Sequence, residues 1–215
     1  MANATNPDRS YPLRAAPALA VVTLLTSMLV AFIVTGTPFS TVRIVDLAHW
    51  SGLELTAFSI EDSWRLLTAQ LVHVKWPHML FNVVCLALVA GLVERRIGAF
   101  GTLLIWALIG GTATAISPLG IDPPYDVGTG ASQAVLAFAG YATIMKVRGA
   151  LKGWLSYVII ALCVIPAFAI DLAFAGYPKI GHLAAFFGAI AAGLLFFPVE
   201  RARAPAAPKE DQGAS

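Results

Sequence analysis

Six stretches of this chain contain no Asp, Glu, Lys or Arg: Ala15–Thr35, Pro77–Val93, Thr102–Ile116, Ser132–Met145, Trp154–Ile170 and Ile180–Pro198. Stretches of this kind decide the class of the fold, because a helix that is apolar all round needs lipid or a large protein interior about it. A chain of 215 residues has room for these six spans and their connections, but not for a sizeable soluble domain beside them. Its balance of 58% hydrophobic to 12% charged residues is also far from that of soluble domains. The sequence therefore predicts an all-α integral membrane protein with one six-span domain over 15–199. A polar lead at 1–14 and a tail of Ala, Pro and charge at 200–215 are expected to be disordered. The run at Ala15–Thr35 is longer than a signal-peptide core and lacks a clear cleavage site, so it reads as a retained first span. The net charge of +2 and its scattered cations give no footing for a nucleic-acid partner. Cys85 and Cys163 fall inside apolar runs and read as buried thiols rather than a disulfide.

The connection from Gly36 to Val72 mixes charges with Trp50, Phe58 and Trp64, a pattern expected at the membrane surface with its rings at headgroup level. Glu94-Arg95-Arg96 is expected to end the second span. The proline- and glycine-rich linker from Ser117 to Gly130 leads into the fourth. Of the 14 Lys and Arg residues, ten lie at the N-terminus, after spans two and four, and in the tail: Arg9, Arg14, Arg95, Arg96, Lys146, Arg148, Lys152, Arg201, Arg203 and Lys209. The other set of loops holds Arg43, Arg65, Lys75 and Lys179. The positive-inside rule then puts both termini in the cytoplasm and makes the chain a multi-pass protein of the cell membrane.

In that orientation, spans two, four and six all start on the outer side. His78, Ser132 and His182 stand near their starts. Ser132 is about 21 Å of helix from Lys146, His78 about 24 Å from Glu94 and His182 about 27 Å from Glu200, against a hydrocarbon core of roughly 30 Å. The three groups are therefore expected at a shared depth in the outer half of the membrane, where polar side chains are costly and mark function. A serine becomes a nucleophile when a base stands beside it, and histidine is the usual base. The free N–H groups of a helix start suit a developing oxyanion, and His78 and Asn82, four apart on one helix face, can add donors. These are the parts of an acyl-transfer site. Each part also has a plainer reading, Ser132 as a helix cap, Asn82 as interhelical glue and His182 as a satisfied interface histidine. His73, His78 and His182 together also suggest a metal site, although the first two, five apart, do not share a regular helix face.

The order of five motifs adds a resemblance. W-R-L-L-T at Trp64–Thr68, H-V-K-W-P-H-M-L-F-N at His73–Asn82, V-E-R-R-I-G at Val93–Gly98, G-A-S at Gly130–Ser132 with Gly140-Tyr141 following, and G-H-L at Gly181–Leu183 resemble the successive signatures of rhomboid intramembrane serine proteases. The resemblance covers most of the membrane domain and implies a six-transmembrane-helix rhomboid-like bundle. It implies Ser132 as nucleophile and His182 as base of a Ser-His dyad without a third acid, with His78 and Asn82 in the oxyanion hole. Trp64, Arg65, His73, Glu94, Arg96, Gly130 and Gly140 take structural roles on the same ground. It further implies cleavage of transmembrane protein substrates in the lipid bilayer, with no cofactor and no metal.

The chain departs from the family pattern at four positions. Gln133 stands where a small residue is usual, and its amide could crowd the oxyanion site or donate to it. Leu136 replaces an aromatic that often packs on the catalytic histidine. Ala185 and Ala189 replace a glycine pair between spans four and six, where Gly181, Gly188 and Ala192 opposite Ala134, Ala137 and Gly140 are expected to keep the approach close. Two other functional classes stay open at this point, a catalytically silent relative that binds membrane clients and a histidine-metal membrane hydrolase.

Overall fold

The computed structural model describes residues 10–197, and the order or disorder expected of 1–9 and of the tail from Glu200 lies outside them. Among the described residues the chain is mostly helical, and the protein is an all-α membrane protein. Helix α1 is Ala15–Thr35. The connection that follows holds α2 (Ile44–Trp50), a short strand β1 (Leu53–Glu54), one 3-10 turn (Ile60–Asp62), α3 (Arg65–Thr68) and a second 3-10 turn (Ala69–Leu71). Strand β1 pairs antiparallel with β2 (Val127–Gly128), Leu53 opposite Gly128 and Glu54 opposite Val127. The connection is thus stitched to the segment that leads into Ser132. Periodicity could not announce a pair two residues long.

Helix α4 starts at Trp76 with Pro77 in its first turn, a position where the missing N–H costs nothing, and runs to Leu104. The charges Glu94-Arg95-Arg96 do not interrupt it. Gly98 does, kinking it with φ 76° and ψ 174°, a conformation that only glycine adopts freely. Beyond it the chain winds back through a π-helical turn, Ile105–Gly110, into α5, Gly111–Ile116. The start of α4 and the end of α5 come together again, since His78 and Ser117 line one cavity. The sequence placed the boundary at Glu94 because a carboxylate reads as solvated. Instead Glu94 is fully buried and accepts the N–H groups of Arg14 (2.9 Å), Ala15 (2.7 Å) and Ala16 (2.7 Å). It is the cap of α1, and its charge meets the positive end of that helix's dipole.

Helix α6, Ser132–Val147, is the centre of the bundle, buried on all sides from Ser132 through Ala142. Helix α7, Leu155–Ala175, runs five residues past the predicted end at Ile170 and lies at the periphery, with a single buried stripe of Ser156, Ile159, Cys163 and Asp171. Helix α8, Ile180–Phe196, makes its most extensive packing with α6. A Cβ on Gly140 would run into the Phe186 carbonyl oxygen and stand 3.3 Å from Ala189 Cβ, so glycine there is what lets the two backbones touch. Ala185 and Ala189 are fully buried in this contact. Gly181 and Gly188, expected to face α6, do not. Gly181 packs on the Ala113 carbonyl and on Ser117 at the end of α5, and Gly188 is exposed, with Ile109 its nearest neighbour among the described residues.

Candidate active site

Ser132 is the first residue of α6, and its Oγ lies 2.8 Å from Nε2 of His182, two residues into α8. Both side chains are buried. On the far side of the ring, His182 Nδ1 lies 2.6 Å from Asp171 Oδ2 of α7, an oxygen that also accepts the Lys179 N–H at 3.0 Å. A carboxylate oxygen only accepts, so this contact sets the proton on Nδ1 and turns the Nε2 lone pair towards Ser132. Phe168, one turn before Asp171, meets the imidazole edge to face, with centroids 6.5 Å apart and planes at 89°. Leu136, which stands where the family pattern often has an aromatic, is fully buried in α6. The ring that packs on His182 comes from α7 instead.

The resemblance implied a pair without an acid, and Asp171 was not among the residues singled out in the sequence. It stands one position beyond the predicted end of the fifth span. The available signal was the same one that found the histidines, a charged side chain at the outer end of an apolar run.

Gln133 is buried, with Nε2 donating to Ser117 Oγ at 3.0 Å and Oε1 placed 3.1 Å from Ser132 Oγ. The serine O–H therefore has two acceptors, Nε2 of His182 and Oε1 of Gln133, and serves one at a time. Asn82 is buried with its Nδ2 unpartnered among the described residues. An amide N–H left without an acceptor costs about 1–3 kcal/mol. Asn82 and His78 line the same cavity as Ser132, Gln133, Asp171 and His182, a space of about 690 Å³ with Phe81, Val135 and Ala167 on its apolar walls. That volume is in the range of clefts and cavities that take ligands.

The other singled-out residues build the frame. Ser27 Oγ donates to the Leu71 carbonyl at 2.7 Å and so accepts from His73 Nδ1 at 2.9 Å, which leaves His73 Nε2 to accept the Ala131 N–H at 3.0 Å. Both ring nitrogens of His73 are used, and neither is free for a metal ion. Among the described residues no three His, Cys, Asp or Glu side chains converge as a metal site would require. Gly130, with φ 94°, makes the turn just before Ser132 and donates its N–H to the Ala69 carbonyl at 2.9 Å. Arg65 bonds the carbonyls of Ala48 (2.5 Å) and Gly52 (2.7 Å) and Asp62 Oδ1 (3.0 Å), and its guanidinium lies 4.8 Å from the Trp64 ring centre. It ties the C-terminal end of α2 to α3. Arg96 is half-buried near the Gly98 turn.

Residues 61–199 match the rhomboid domain family. The chain belongs to the rhomboid family. Its members are intramembrane serine proteases, and the matched region holds His78, Asn82, Ser132, Gln133, Asp171 and His182. The chain is also 34% identical over 139 residues to a protein of Bacillus subtilis (strain 168) named "Putative rhomboid protease YdcA", a match covering 62% of this chain and 66% of that one. It therefore spans slightly under two thirds of that relative's length.

Proposed function

We propose that this rhomboid is an intramembrane serine endopeptidase that uses Ser132 and His182 to cleave transmembrane segments of other membrane proteins. The observation that carries the reading is the 2.8 Å approach of Ser132 Oγ to His182 Nε2 beside a cavity of about 690 Å³. In the first step the Oγ–carbon bond forms as the Oγ proton passes to Nε2, and the carbonyl electron pair moves onto its oxygen. The N–H groups of the first turn of α6, Asn82 Nδ2 and His78 are the donors for that oxyanion. Collapse of the intermediate breaks the C–N bond while Nε2 returns the proton to the leaving amine. Water, activated by the same nitrogen, then frees the acyl group. A peptide bond in a helix is shielded by its own hydrogen bonds, so the substrate must unwind locally before the buried serine reaches it. The chain crosses the cell membrane six times, with both termini in the cytoplasm.

The test is labelling with a serine-directed phosphonate, mapping of the modified residue, and cleavage of a model single-span substrate in one lipid. We expect modification at Ser132 alone and loss of cleavage in Ser132→Ala and in His182→Ala, with the double variant little worse, because the two act as a unit. Cleavage at the wild-type rate by Ser132→Ala would overturn the reading. A chain that binds substrate but takes up no label would be a silent client-binding relative.

A further inference from the structure

We propose that Asp171 is the positioning residue for His182, so that this chain works with a Ser-His-Asp arrangement supplied by three separate helices. The inference rests on the serine-protease reading of Ser132 and His182 and extends it. Three observations carry it. Asp171 is 1% exposed, and its one partnered oxygen is aimed at Nδ1, the ring nitrogen on the side away from Ser132. That oxygen is itself fixed by the Lys179 N–H, from the turn just before α8, so the carboxylate cannot swing away without losing two hydrogen bonds. Finally, α7 otherwise turns mostly apolar surface outward, and an aspartate on its buried stripe has to be stabilised by what it meets there.

The contact does two things for the reaction. It selects the tautomer in which Nε2 can accept the serine proton, and it places a negative charge beside the imidazolium that forms when it does so. Phe168 closes the ring from the same helix and limits its rotation. Asp171 touches neither substrate nor the reacting atoms. Its effect therefore has to appear through the histidine, in turnover rather than in substrate binding.

The experiment compares wild type, Ser132→Ala and Asp171→Asn in one lipid with a model single-span substrate, and records 1H–15N spectra of the native protein carrying labelled histidine. Asparagine keeps the shape and an acceptor oxygen for both Nδ1–H and the Lys179 N–H, but removes the charge. We expect Asp171→Asn to lose about 100-fold or more in kcat with KM within about threefold. In the native spectra His182 should be the Nδ1–H tautomer with a strongly downfield proton, a signal absent from His182→Ala. Wild-type kcat in a folded Asp171→Asn, with Ser132→Ala inactive, overturns the proposal and leaves the protease reading standing. Wild-type cleavage by Ser132→Ala defeats both. Should Asp171→Asn fail to fold, the native spectra decide alone, and an Nε2–H tautomer for His182 rejects the assignment.

Discussion

Gln133 follows the proposed nucleophile Ser132 directly, yet its amide nitrogen is turned away to Ser117 Oγ and only its acceptor oxygen faces Ser132. A side chain arranged like this does not donate to an oxyanion, and its oxygen competes with His182 for the serine proton. We expect Gln133→Gly to keep kcat within about tenfold of wild type, less than about 1.4 kcal/mol in barrier. Asn82→Ala, which removes an unpartnered buried N–H donor from the cavity, should cost about a hundred- to a thousandfold, or about 3–4 kcal/mol. Single-turnover rates of the two variants beside wild type check this, and a hundredfold loss confined to Gln133→Gly would reverse the assignment. The serine and its histidine could be brought together from sequence because distance along a helix measures depth in a membrane. Asp171 and Phe168 could not be, since they reach His182 across a helix interface, and nothing in the spacing of α7 and α8 says which faces meet.

At the scale of elements, the apolar runs carry most of the fold, because a run free of charges has one stable answer in lipid. Sequence reading went wrong where a polar residue does structural work inside the protein. Glu94 looks like the end of a span and is the cap of α1, and Asp171 looks like the end of α7 and sits within it. The capping role has a measurable consequence. Glu94→Ala strips three N–H groups of their acceptor, two of them in buried hydrogen bonds, and at about 1–3 kcal/mol for each orphaned group should lower stability by several kcal/mol. Unfolding in mixed micelles measures this, and a loss below about 1 kcal/mol would show that water replaces the cap. A second element-scale prediction concerns the stitch between the first connection and the strand before Ser132. The Thr56 hydroxyl and amide hold the Asp126 carboxyl below its usual range, with bonds of 2.6 and 2.9 Å to one oxygen. A carboxylate lowered in the folded state stabilises fully above its unfolded value of about 3.9 and loses that contribution as pH falls through the folded value. The Thr56 amide protection factor should therefore be level from neutral pH down to about 4 and fall below it. In Asp126→Asn it should be low and flat throughout.

At the scale of the whole molecule, the structure fixes which helix ends share a face, and charge then orients the whole. The starts of α4, α6 and α8 meet at one cavity. The far ends of α6 and α8 are also tied together, as Arg148 after α6 bonds the carbonyls of Gly193 (3.1 Å) and Leu194 (2.9 Å) near the end of α8. Glu94 brings the start of α1 to that same far side. Among the described residues the far face carries Arg14, Arg95, Arg96, Lys146, Arg148 and Lys152, while the cavity face carries Arg43, Arg65, Lys75 and Lys179. Cations within a short distance of span ends hold a chain to the cytoplasmic side, so the cavity should open outward. Single cysteines at two exposed positions test this, Ile60→Cys beside the cavity-face turn and Phe100→Cys beside the Gly98 turn, in a background with the buried Cys85 and Cys163 replaced by alanine. A membrane-impermeant maleimide should modify Ile60→Cys on intact cells and Phe100→Cys only after the membrane is opened. The reverse pattern would invert the orientation but keep the fold. Labelling of both from one side would instead contradict the turn at Gly98, because Ile60 and Phe100 would then lie on one face of the bundle.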